Sequence, residues 1–367
     1  MDIVFSVLII LYLFEHSVFF LGLLKNLKRP KRELDPVLLP LVTVIVAARN
    51  EENNIRQCIE SLLRLNYPTD KLQIIIVNDR STDGTKDIIL SYTGNHNQLT
   101  YLETIDSPGK LKGKPKALSQ AINKARGELI FTTDADCHVN PDWLKEMVLH
   151  YDPDTGVANS YTIIEPRNIY WGMQSYDWLY LLSLASGSDG ISIPLSCVGN
   201  NMSYRKKAYD EVGGYEKIKF SVTEDFILLQ SIKKHGKWKT KFPADRNTLN
   251  YTLPCLNLKE LYRQKKRWGR GGLDSNWLGY FAGVMGWSIS TAIMIGWLFV
   301  SLKLYLLVVL CKLIADFILT LPVIIKFRVY KLILYFIPFE IYFIIYAFSL
   351  LFIEVFDRKV MWKDRQL

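Results

Sequence analysis

The sequence contains little cysteine and lacks the motifs of several common binding sites. Its 367 residues include five cysteines, and no two of them form a CxxC pair. This spacing argues against a structural zinc site and favours a reduced, cytosolic environment. The phosphate-binding pattern GxxxxGK(S/T) is absent, and no recognisable nucleic-acid motif is present. The sequence therefore gives no support to a P-loop nucleotidase or to a nucleic-acid-binding protein.

Apolar residues are concentrated at the two ends of the chain. The first block covers residues 1–24, and a bilayer-spanning helix needs about 20 residues. Basic residues follow this block and none precedes it, so we expect the amino terminus outside and the chain from Lys25 onward in the cytosol. The block lacks the basic start and the small-residue cleavage site of a signal peptide, which favours a retained anchor.

The carboxy-terminal region contains three further apolar blocks, near residues 278–302, 304–325 and 332–356. The loop between the last two, KFRVYK, is basic, which suits a cytosolic loop if the first two blocks form a hairpin. A third full span would place the basic tail outside, against the same charge rule. Pro338 and Glu340 leave a re-entrant or interfacial segment as an alternative for the last block.

The formal net charge of +9 is concentrated beside the apolar blocks, in residues 25–32 and 263–270. We expect these residues to contact anionic lipid head groups rather than nucleic acid. The blocks and the charge together predict a multi-pass protein of the cell (inner) membrane with a cytosolic middle domain.

The middle of the chain alternates short β-branched runs with helical patterns. LVTVIVAA, LQIIIVND, LTYLET and ELIFTTDAD are typical of buried strands, and EENNIRQCIESLLRL and KPKALSQAINKARG are typical of helices. This order predicts an α/β domain with a mostly parallel sheet that helices cover on both faces. Ligands bind such sheets at the carboxyl ends of the strands. There the sequence places Glu51, Asp79, Asp134 and Asp136.

Asp134 and Asp136 form a DxD pattern at the end of the fourth run. In an extended strand they would point to the same side, and two carboxylates facing one cleft suit Mg²⁺ or Mn²⁺ together with a diphosphate. A loop that caps the next helix is an equally good interpretation of the pattern alone. Cys137 and His138 follow directly, but no second cysteine or histidine cluster would complete a zinc site.

Other polar positions suit nucleotide-sugar chemistry, each with a simpler alternative. Asp79 could contact a nucleobase or ribose, or serve as a turn acceptor. Lys114 opens a helix, where it could meet a phosphate or lie on a solvated face. Glu224 and Asp225 open another helix, where they could favour the helix dipole or supply a general base. The segment RQKKRWGRGG could be an interfacial helix beside the membrane block.

Taken in order, these positions resemble the motifs of membrane-bound family-2 glycosyltransferases, which include polysaccharide synthases and ceramide glucosyltransferases. The motifs are Asp79, the DxD of 134–136, the TED of 223–225 and the QxxRW of 264–268. The likeness covers about residues 40–275. It implies a GT-A fold, which is a Rossmann-like α/β fold with a mostly parallel sheet. The expected architecture is a cytosolic GT-A domain with one N-terminal and about three C-terminal membrane helices.

The resemblance also implies a role for each matching residue. Asp225 is expected to be the general base, beside Glu224, and Asp136 the principal ligand of an Mg²⁺ or Mn²⁺ cofactor, with Asp134 next to it. The residues implied to bind the nucleotide or diphosphate are Ala47, Arg49, Glu51, Asp79, Lys114, Asp134, Gln264, Arg267 and Trp268. The residues implied to line the acceptor side are Gly199, Asn200 and Asn201.

These roles predict an inverting, metal-dependent glycosyltransferase that moves a sugar from a nucleotide-sugar, UDP-linked by the resemblance, to a membrane lipid. A processive polysaccharide synthase that threads a glycan through the membrane is the alternative, and the short membrane portion favours the single transfer. A non-catalytic, membrane-tethered nucleotide-sugar-binding protein is a remote alternative, since all the key carboxylates are present. The expected boundaries are an anchor at 1–25, a basic linker at 26–40, the GT-A catalytic domain at 41–256, an interfacial helix at 257–275 and a membrane region with a short basic tail at 276–367.

Overall fold

The computed structural model describes residues 1–32, 38–106, 111–357, 361–362 and 365–366. Its contacts divide the chain into two compact units. The helical unit comprises Met1–Lys28, Ile163–Ser196 and Pro254–Leu367, and the α/β unit comprises Arg29–Thr162 and Cys197–Leu253. The boundaries expected from the sequence assign residues 163–196 to the catalytic domain, whereas their contacts group them with the helical unit.

The elements follow one another in the alternating order that the sequence predicts for its middle part. The helices are α1 Asp2–Leu27, α2 Ile55–Leu63, α3 Thr85–Thr93, α4 Lys114–Ile122, α5 Trp143–Val148, α6 Ile169–Gly190, α7 Lys206–Glu211, α8 Gly214–Lys217, α9 Glu224–Lys234, α10 Leu258–Gly272, α11 Trp277–Ile295, α12 Leu302–Phe327 and α13 Phe336–Phe356. The strands are β1 Val42–Ala48, β2 Leu72–Asn78, β3 Leu99–Glu103, β4 Leu129–Asp134, β5 Thr155–Asn159, β6 Thr162–Ile164, β7 Met202–Arg205, β8 Lys239–Lys241, β9 Asn250–Thr252, β10 Met361–Trp362 and β11 Arg365–Gln366.

Among the described residues, seven strands form one sheet in the order β3-β2-β1-β4-β7-β5-β8. The pairs β1–β2, β2–β3 and β1–β4 are parallel, and β7 is antiparallel to both of its neighbours. The predicted α/β fold with a mostly parallel sheet is therefore confirmed. The chain order reverses between β1 and β4, which is where open parallel sheets bind ligands. The register aligns Ala48 with Asn78 and Ala47 with Asp134, so the ends of β1, β2 and β4 lie side by side.

Both faces of the sheet are buried, which explains why its central strands have continuous apolar runs. On one face Val44 and Ile74 pack with Trp143 of α5, and on the other Ile45 and Ile75 pack with α4 and α9. Each fully buried aliphatic side chain of this kind contributes about 1.5–3 kcal/mol. This core holds the strand ends, and the loops that leave them, in fixed positions.

Within the described residues, four helices are long and apolar enough to cross a membrane: Asp2–Leu27, Trp277–Leu298, Leu302–Phe327 and Tyr330–Ile353. The prediction of one N-terminal and about three C-terminal membrane helices is confirmed. A re-entrant segment does not fit the last block, because α13 runs unbroken from Phe336 to Phe356. The alternative of an interfacial segment stays a prediction. Pro338 lies in its first turn, where backbone N–H groups have no partner within the helix.

Helix α6 has no counterpart among the elements that the sequence pattern predicts. It packs along α1, and glycines allow the close approach: a Cβ at Gly22 would overlap the carbonyl group of Gly187. Asn26 Nδ2 also donates a hydrogen bond to the Ser186 carbonyl at 2.6 Å. Small residues let helices approach closely in this way, and the amide then satisfies a buried carbonyl.

Part of the basic stretch at 25–32 binds groups of the α/β unit. Lys31 Nζ lies 2.5 Å from Glu146 Oε2 and 3.2 Å from Asp245 Oδ1. Arg32 Nη1 donates to the Tyr151 carbonyl at 2.6 Å. Both residues are exposed as well as paired, so the expected head-group contact of this stretch stays a prediction. Residues 33–37 of the expected linker lie outside the described residues.

Candidate active site

The loop after β1 and the loop after β2 are tied together by side-chain hydrogen bonds. Arg49 Nη1 donates to the Asp79 carbonyl at 2.8 Å, and Asn50 Oδ1 accepts from the Thr82 N–H at 2.9 Å. Asn50 and Arg80 have positive φ angles of 51° and 56°, which is a strained conformation for residues other than glycine. The two loops thus form one constrained rim at the carboxyl end of the sheet.

Asp79 and Glu51, two predicted nucleotide contacts, lie on this rim. Asp79 is buried, and the Thr104 hydroxyl donates to its Oδ1 at 3.0 Å. Glu51 Oε2 accepts from Asn54 Nδ2 at 2.8 Å, and its backbone N–H donates to Thr85 Oγ1 at 2.7 Å. Both carboxylates are therefore held in fixed orientations, as a site that recognises a base or ribose requires.

The DxD pattern lies where β4 ends, but its two carboxylates do not share an extended strand. β4 ends at Asp134, and the Cys137 N–H donates to the Asp134 carbonyl at 3.1 Å, which closes a turn over Ala135 and Asp136. The alternation argument from the sequence is wrong for this reason. Burial first, and then the Asp136 and Asp134 carboxylates, raise the pKa of the Cys58 and Cys137 thiols. Both carboxylates therefore affect the same two buried thiols.

Lys114, the first residue of α4, joins the DxD motif to the TED motif. Its Nζ lies 2.7 Å from Asp134 Oδ1 and 3.0 Å from Glu224 Oε1. Burial alone would lower the pKa of Lys114, but the Asp134 and Glu224 carboxylates raise it above its usual range. Lys114 is thus a fixed positive charge at the point where the two acidic motifs meet. The sequence predicts Lys114 as a phosphate contact but gives no signal of this bridge.

Asp225, the predicted base, is the second residue of α9 and is half-buried. Its Oδ1 accepts a hydrogen bond from the Phe226 N–H at 2.8 Å. Gly199 lies beside it, since a Cβ at that position would come within 3.1 Å of Asp225 Oδ2. Burial first, and then Asp225 and Glu224, raise the pKa of the Cys197 thiol well above its usual range. Cys197, which the sequence analysis does not identify, is therefore a neighbour of the predicted base.

Asn200 and Asn201, expected on the acceptor side, are buried and hydrogen-bonded inside the α/β unit. Asn201 Nδ2 donates to the carbonyls of Tyr161 and Thr248 at 2.6 and 2.8 Å, and its Oδ1 accepts from Trp143 Nε1 at 2.9 Å. Their side chains therefore support the segment from within, and Gly199 is the member that lies next to Asp225.

The QxxRW residues Gln264, Arg267 and Trp268 are half-buried on α10, in the helical unit. The predicted closure of this motif over the diphosphate stays a prediction. The two lysines inside the motif do not face head groups, because Lys265 is paired with Asp177 and Lys266 with Asp357. The expectation of lipid contact for the 263–270 stretch is wrong for these two side chains.

The DxD motif offers carboxylate oxygens as ligands for a divalent cation. Within the described ranges, no group of three or more His, Cys, Asp or Glu side chains could hold a metal ion by itself. Two carboxylates are hard oxygen ligands of the kind that Mg²⁺ and Mn²⁺ accept, and Mg²⁺ commonly completes its shell with substrate phosphates and water. Lys114 already compensates Asp134. The residues therefore fit a cation that Asp136 and a bound diphosphate would hold jointly.

Two family models match the chain. The model of Glycosyl transferase family 2 matches residues 43–213, and that of Glycosyl transferase family group 2 matches residues 129–353, more than half of the chain. The chain belongs to the family-2 glycosyltransferases. Its α/β unit is accordingly a GT-A domain.

Relatives of this glycosyltransferase are named for different products. It is 28% identical over 246 residues to a β-monoglucosyldiacylglycerol synthase of Nostoc sp., covering 64% of this chain and 49% of that protein. It is 25% identical over 249 residues to a poly-β-1,6-N-acetyl-D-glucosamine synthase of Staphylococcus aureus, covering 67% of this chain and 57% of that protein. The chain thus spans about half the length of these curated relatives.

A solved structure has the same fold over its whole length. The mannosyltransferase of Pyrobaculum calidifontis, solved in complex with GDP-Man and Mn²⁺, superposes with a TM-score of 0.67 at 18% identity. The match covers 98% of this chain and 100% of that one. At this identity the likeness establishes the fold alone.

Proposed function

We propose that this glycosyltransferase transfers one sugar, with inversion, from a UDP-sugar to a lipid at the cytosolic face of the cell (inner) membrane. The observation that carries the proposal is the Lys114 bridge between Asp134 of the DxD motif and Glu224, the neighbour of Asp225. It joins the carboxylates assigned to the donor diphosphate with those assigned to the acceptor. A fixed cation between them suits a reaction in which negative charge develops on a leaving diphosphate.

The reaction is a single displacement. Asp225 accepts the proton of the acceptor hydroxyl while the hydroxyl oxygen forms a bond to the anomeric carbon of the sugar. The bond from that carbon to the phosphate oxygen breaks at the same time, and its electron pair leaves on the diphosphate. Attack from the face opposite the leaving group inverts the anomeric configuration, so no sugar–enzyme intermediate is required.

Several residues stabilise the leaving diphosphate in this proposal. Lys114 contributes its positive charge, and Arg267 with Gln264 and Trp268 of the QxxRW motif would close over the phosphates. An Mg²⁺ or Mn²⁺ ion held by Asp136 and Asp134 would supply further electrostatic stabilisation when bound. The base and ribose would bind at the rim, which carries Asp79, Glu51 and Arg49, and at Ala47 near the end of β1.

The choice of a lipid acceptor rests on the membrane helices and on one relative. Four helices among the described residues are long and apolar enough to cross a membrane, where lipid hydroxyls would be available as acceptors. The Nostoc relative is named for synthesis of a glucosylated diacylglycerol. The Staphylococcus aureus relative is named for synthesis of a polysaccharide, so a polysaccharide product is the competing outcome.

Membranes that contain the protein should be incubated with a panel of radiolabelled nucleotide-sugars and Mn²⁺ or Mg²⁺, and the lipid and polymer fractions analysed by mass spectrometry. We expect label from a UDP-sugar in a lipid carrying one added sugar. A labelled product retained at the top of a gel would refute single transfer. Label in neither fraction, with intact nucleotide-sugar binding, would favour the non-catalytic alternative.

Asp225→Asn tests the base. Loss of general-base catalysis lowers a rate by about 10²–10⁴-fold, so we expect a turnover loss of this size with UDP affinity changed less than about threefold. Asp210→Asn is the matched control, because Asp210 is an exposed carboxylate paired with Lys206. Unchanged turnover in Asp225→Asn would remove the assignment of the base while leaving the family unaffected.

A further inference from the structure

The two lysines between Gln264 and Arg267 are both buried, but their acidic partners differ in exposure. Lys265 is 2% exposed and forms an ion pair with Asp177 of α6, whose side chain is 1% exposed. Lys266 lies 2.5 Å from Asp357, and that carboxylate is 47% exposed. A buried charge is tolerated only when it is paired. The Asp177–Lys265 pair is therefore a strong constraint on α10, and the Lys266 pair a weak one.

Lys265 is also bound to the tryptophan of its own motif. Its Nζ lies 4.1 Å from the centre of the Trp268 ring and 5.4 Å from that of Tyr346. A cation over an aromatic face is attracted to it, most strongly when solvent is excluded. Because Lys265 and Trp268 are three residues apart, they occupy neighbouring positions on one side of the helix.

Two consecutive residues of α6 hold this lysine and this tryptophan. Asp177 pairs with Lys265, and Trp178 packs edge-on against Trp268 with ring centres 5.1 Å apart and an interplanar angle of 81°. Asp177 Oδ1 is buried and has no hydrogen-bond partner among the described residues. Its other oxygen, Oδ2, accepts a hydrogen bond from Lys265 Nζ.

Burial affects both partners in the direction expected for a pair with little access to water. Burial raises the pKa of Asp177 and lowers the pKa of Lys265, and each partner opposes the shift of the other. Neither charge is therefore stable in this place alone. If one is removed, the other loses the interaction that keeps it there.

We infer that Asp177 and Trp178 are positioning residues for the QxxRW motif, acting through Lys265 and Trp268. They fix the rotation of α10 about its axis, and this rotation determines the direction of Gln264 and Arg267. Side chains on an α-helix are spaced at 3.6 residues per turn, so a rotation of α10 changes the direction of both side chains together. The inference rests on the proposed role of the QxxRW motif, and no residue of α6 is part of the sequence motifs.

The test compares four variants with the unaltered protein, all in membranes or in detergent. Asp177→Asn and Lys265→Met each remove one partner, and the double variant removes both charges. Lys266→Met is the matched control, since it removes the neighbouring lysine of the same motif. The measurements are KM for the nucleotide-sugar, kcat, and the unfolding temperature of each purified protein.

We expect Asp177→Asn and Lys265→Met to raise KM for the nucleotide-sugar at least tenfold and to lower the unfolding temperature, with Lys266→Met near wild type. The double variant should recover stability but keep the raised KM, because the buried charges are gone while α10 is still not fixed. A merely structural pair would recover both together. Recovery of KM in the double variant, or an unchanged KM in folded Asp177→Asn, would overturn the inference.

Arg267→Gln separates this failure from failure of the proposed function. If Arg267→Gln leaves KM unchanged, the motif does not bind the donor and the proposal falls with its premise. If Arg267→Gln raises KM and Asp177→Asn does not, the motif keeps its role and only the positioning by α6 is refuted. Either result is readable from the same measurement.

Discussion

Lys312 lies at the centre of a buried charged cluster in the helical unit, and its replacement by methionine should destabilise that unit strongly. The lysine is fully buried on α12, 2.9 Å from Asp316 Oδ2, and it also binds Glu340 of α13. Asp316 Oδ1 in turn accepts from the Tyr12 hydroxyl at 2.6 Å and lies 3.0 Å from His16 Nε2 on α1. Lys312 therefore compensates two carboxylates, Asp316 of α12 and Glu340 of α13, and Asp316 also binds α1.

The size of the effect follows from the loss of that cation. Removing one partner of a buried ion pair costs about 3–5 kcal/mol, and a charge at the centre of a membrane span costs about 2.5–3.5 kcal/mol on insertion scales. We expect Lys312→Met to lower the free energy of unfolding of the helical unit by about 4 kcal/mol. For a unit of roughly 150–250 residues this corresponds to a fall in Tm of about 8–16 °C.

Thermal unfolding of the purified protein in detergent or nanodiscs measures the change. Lys303→Met is the matched control, because Lys303 is exposed on the same helix. Adding Glu340→Gln to Lys312→Met removes one of the uncompensated charges and should recover about 1–3 kcal/mol, the coupling expected of contacting residues. Equal Tm values for Lys312→Met and Lys303→Met would refute the reasoning, and so would a lack of coupling with Glu340.

Two further predictions concern the α/β unit. Burial alone would raise the pKa of Asp245, but His150 and Lys31 hold it below its usual value. A carboxylate whose pKa is lowered by folding stabilises the fold at pH values above its unfolded pKa. Asp245→Asn should therefore lower Tm at pH 7, and the difference from wild type should vanish as the pH falls through about 4 and below. A Tm difference that persists undiminished at pH 3 would contradict this. Asn201→Ala leaves buried donors and acceptors unpaired at about 1–3 kcal/mol each, so unfolding should become easier by about 3 kcal/mol while the kcat of the folded protein stays within threefold. Unchanged stability with lost activity would instead indicate direct contact with the acceptor.

The sheet could be predicted from the sequence because its strands are buried on both faces. A strand such as β1 then has an uninterrupted β-branched run, and its polar end stands out where the run stops. The carboxylates Asp79 and Asp134 follow from that rule. Their chemical role needed the order of the motifs, since a single DxD or TED is as easily a turn or a helix start.

Helix α6 could not be predicted in the same way. Its residues are buried nearly all round, including serines, glycines and Asp177, so no single apolar stripe marks it as a helix. Polar residues interrupt its apolar ones, and it is not among the four described helices that are long and apolar enough to cross a membrane. Only its partners explain it: Gly187 makes room for α1, and Asp177 binds Lys265, 88 residues further along the chain.

The lysines also show why net charge was a poor guide to lipid contact. Lys114, Lys265 and Lys312 each pair with carboxylates inside their own unit. A basic count treats them as surface charge, yet a buried ammonium group keeps its place only beside acidic partners. Those partners lie on other elements of the same unit except for Asp316, so composition cannot reveal them. The same property makes these lysines informative, because each identifies carboxylates that the fold must hold close together: at the proposed active site, behind the QxxRW motif and between the membrane helices.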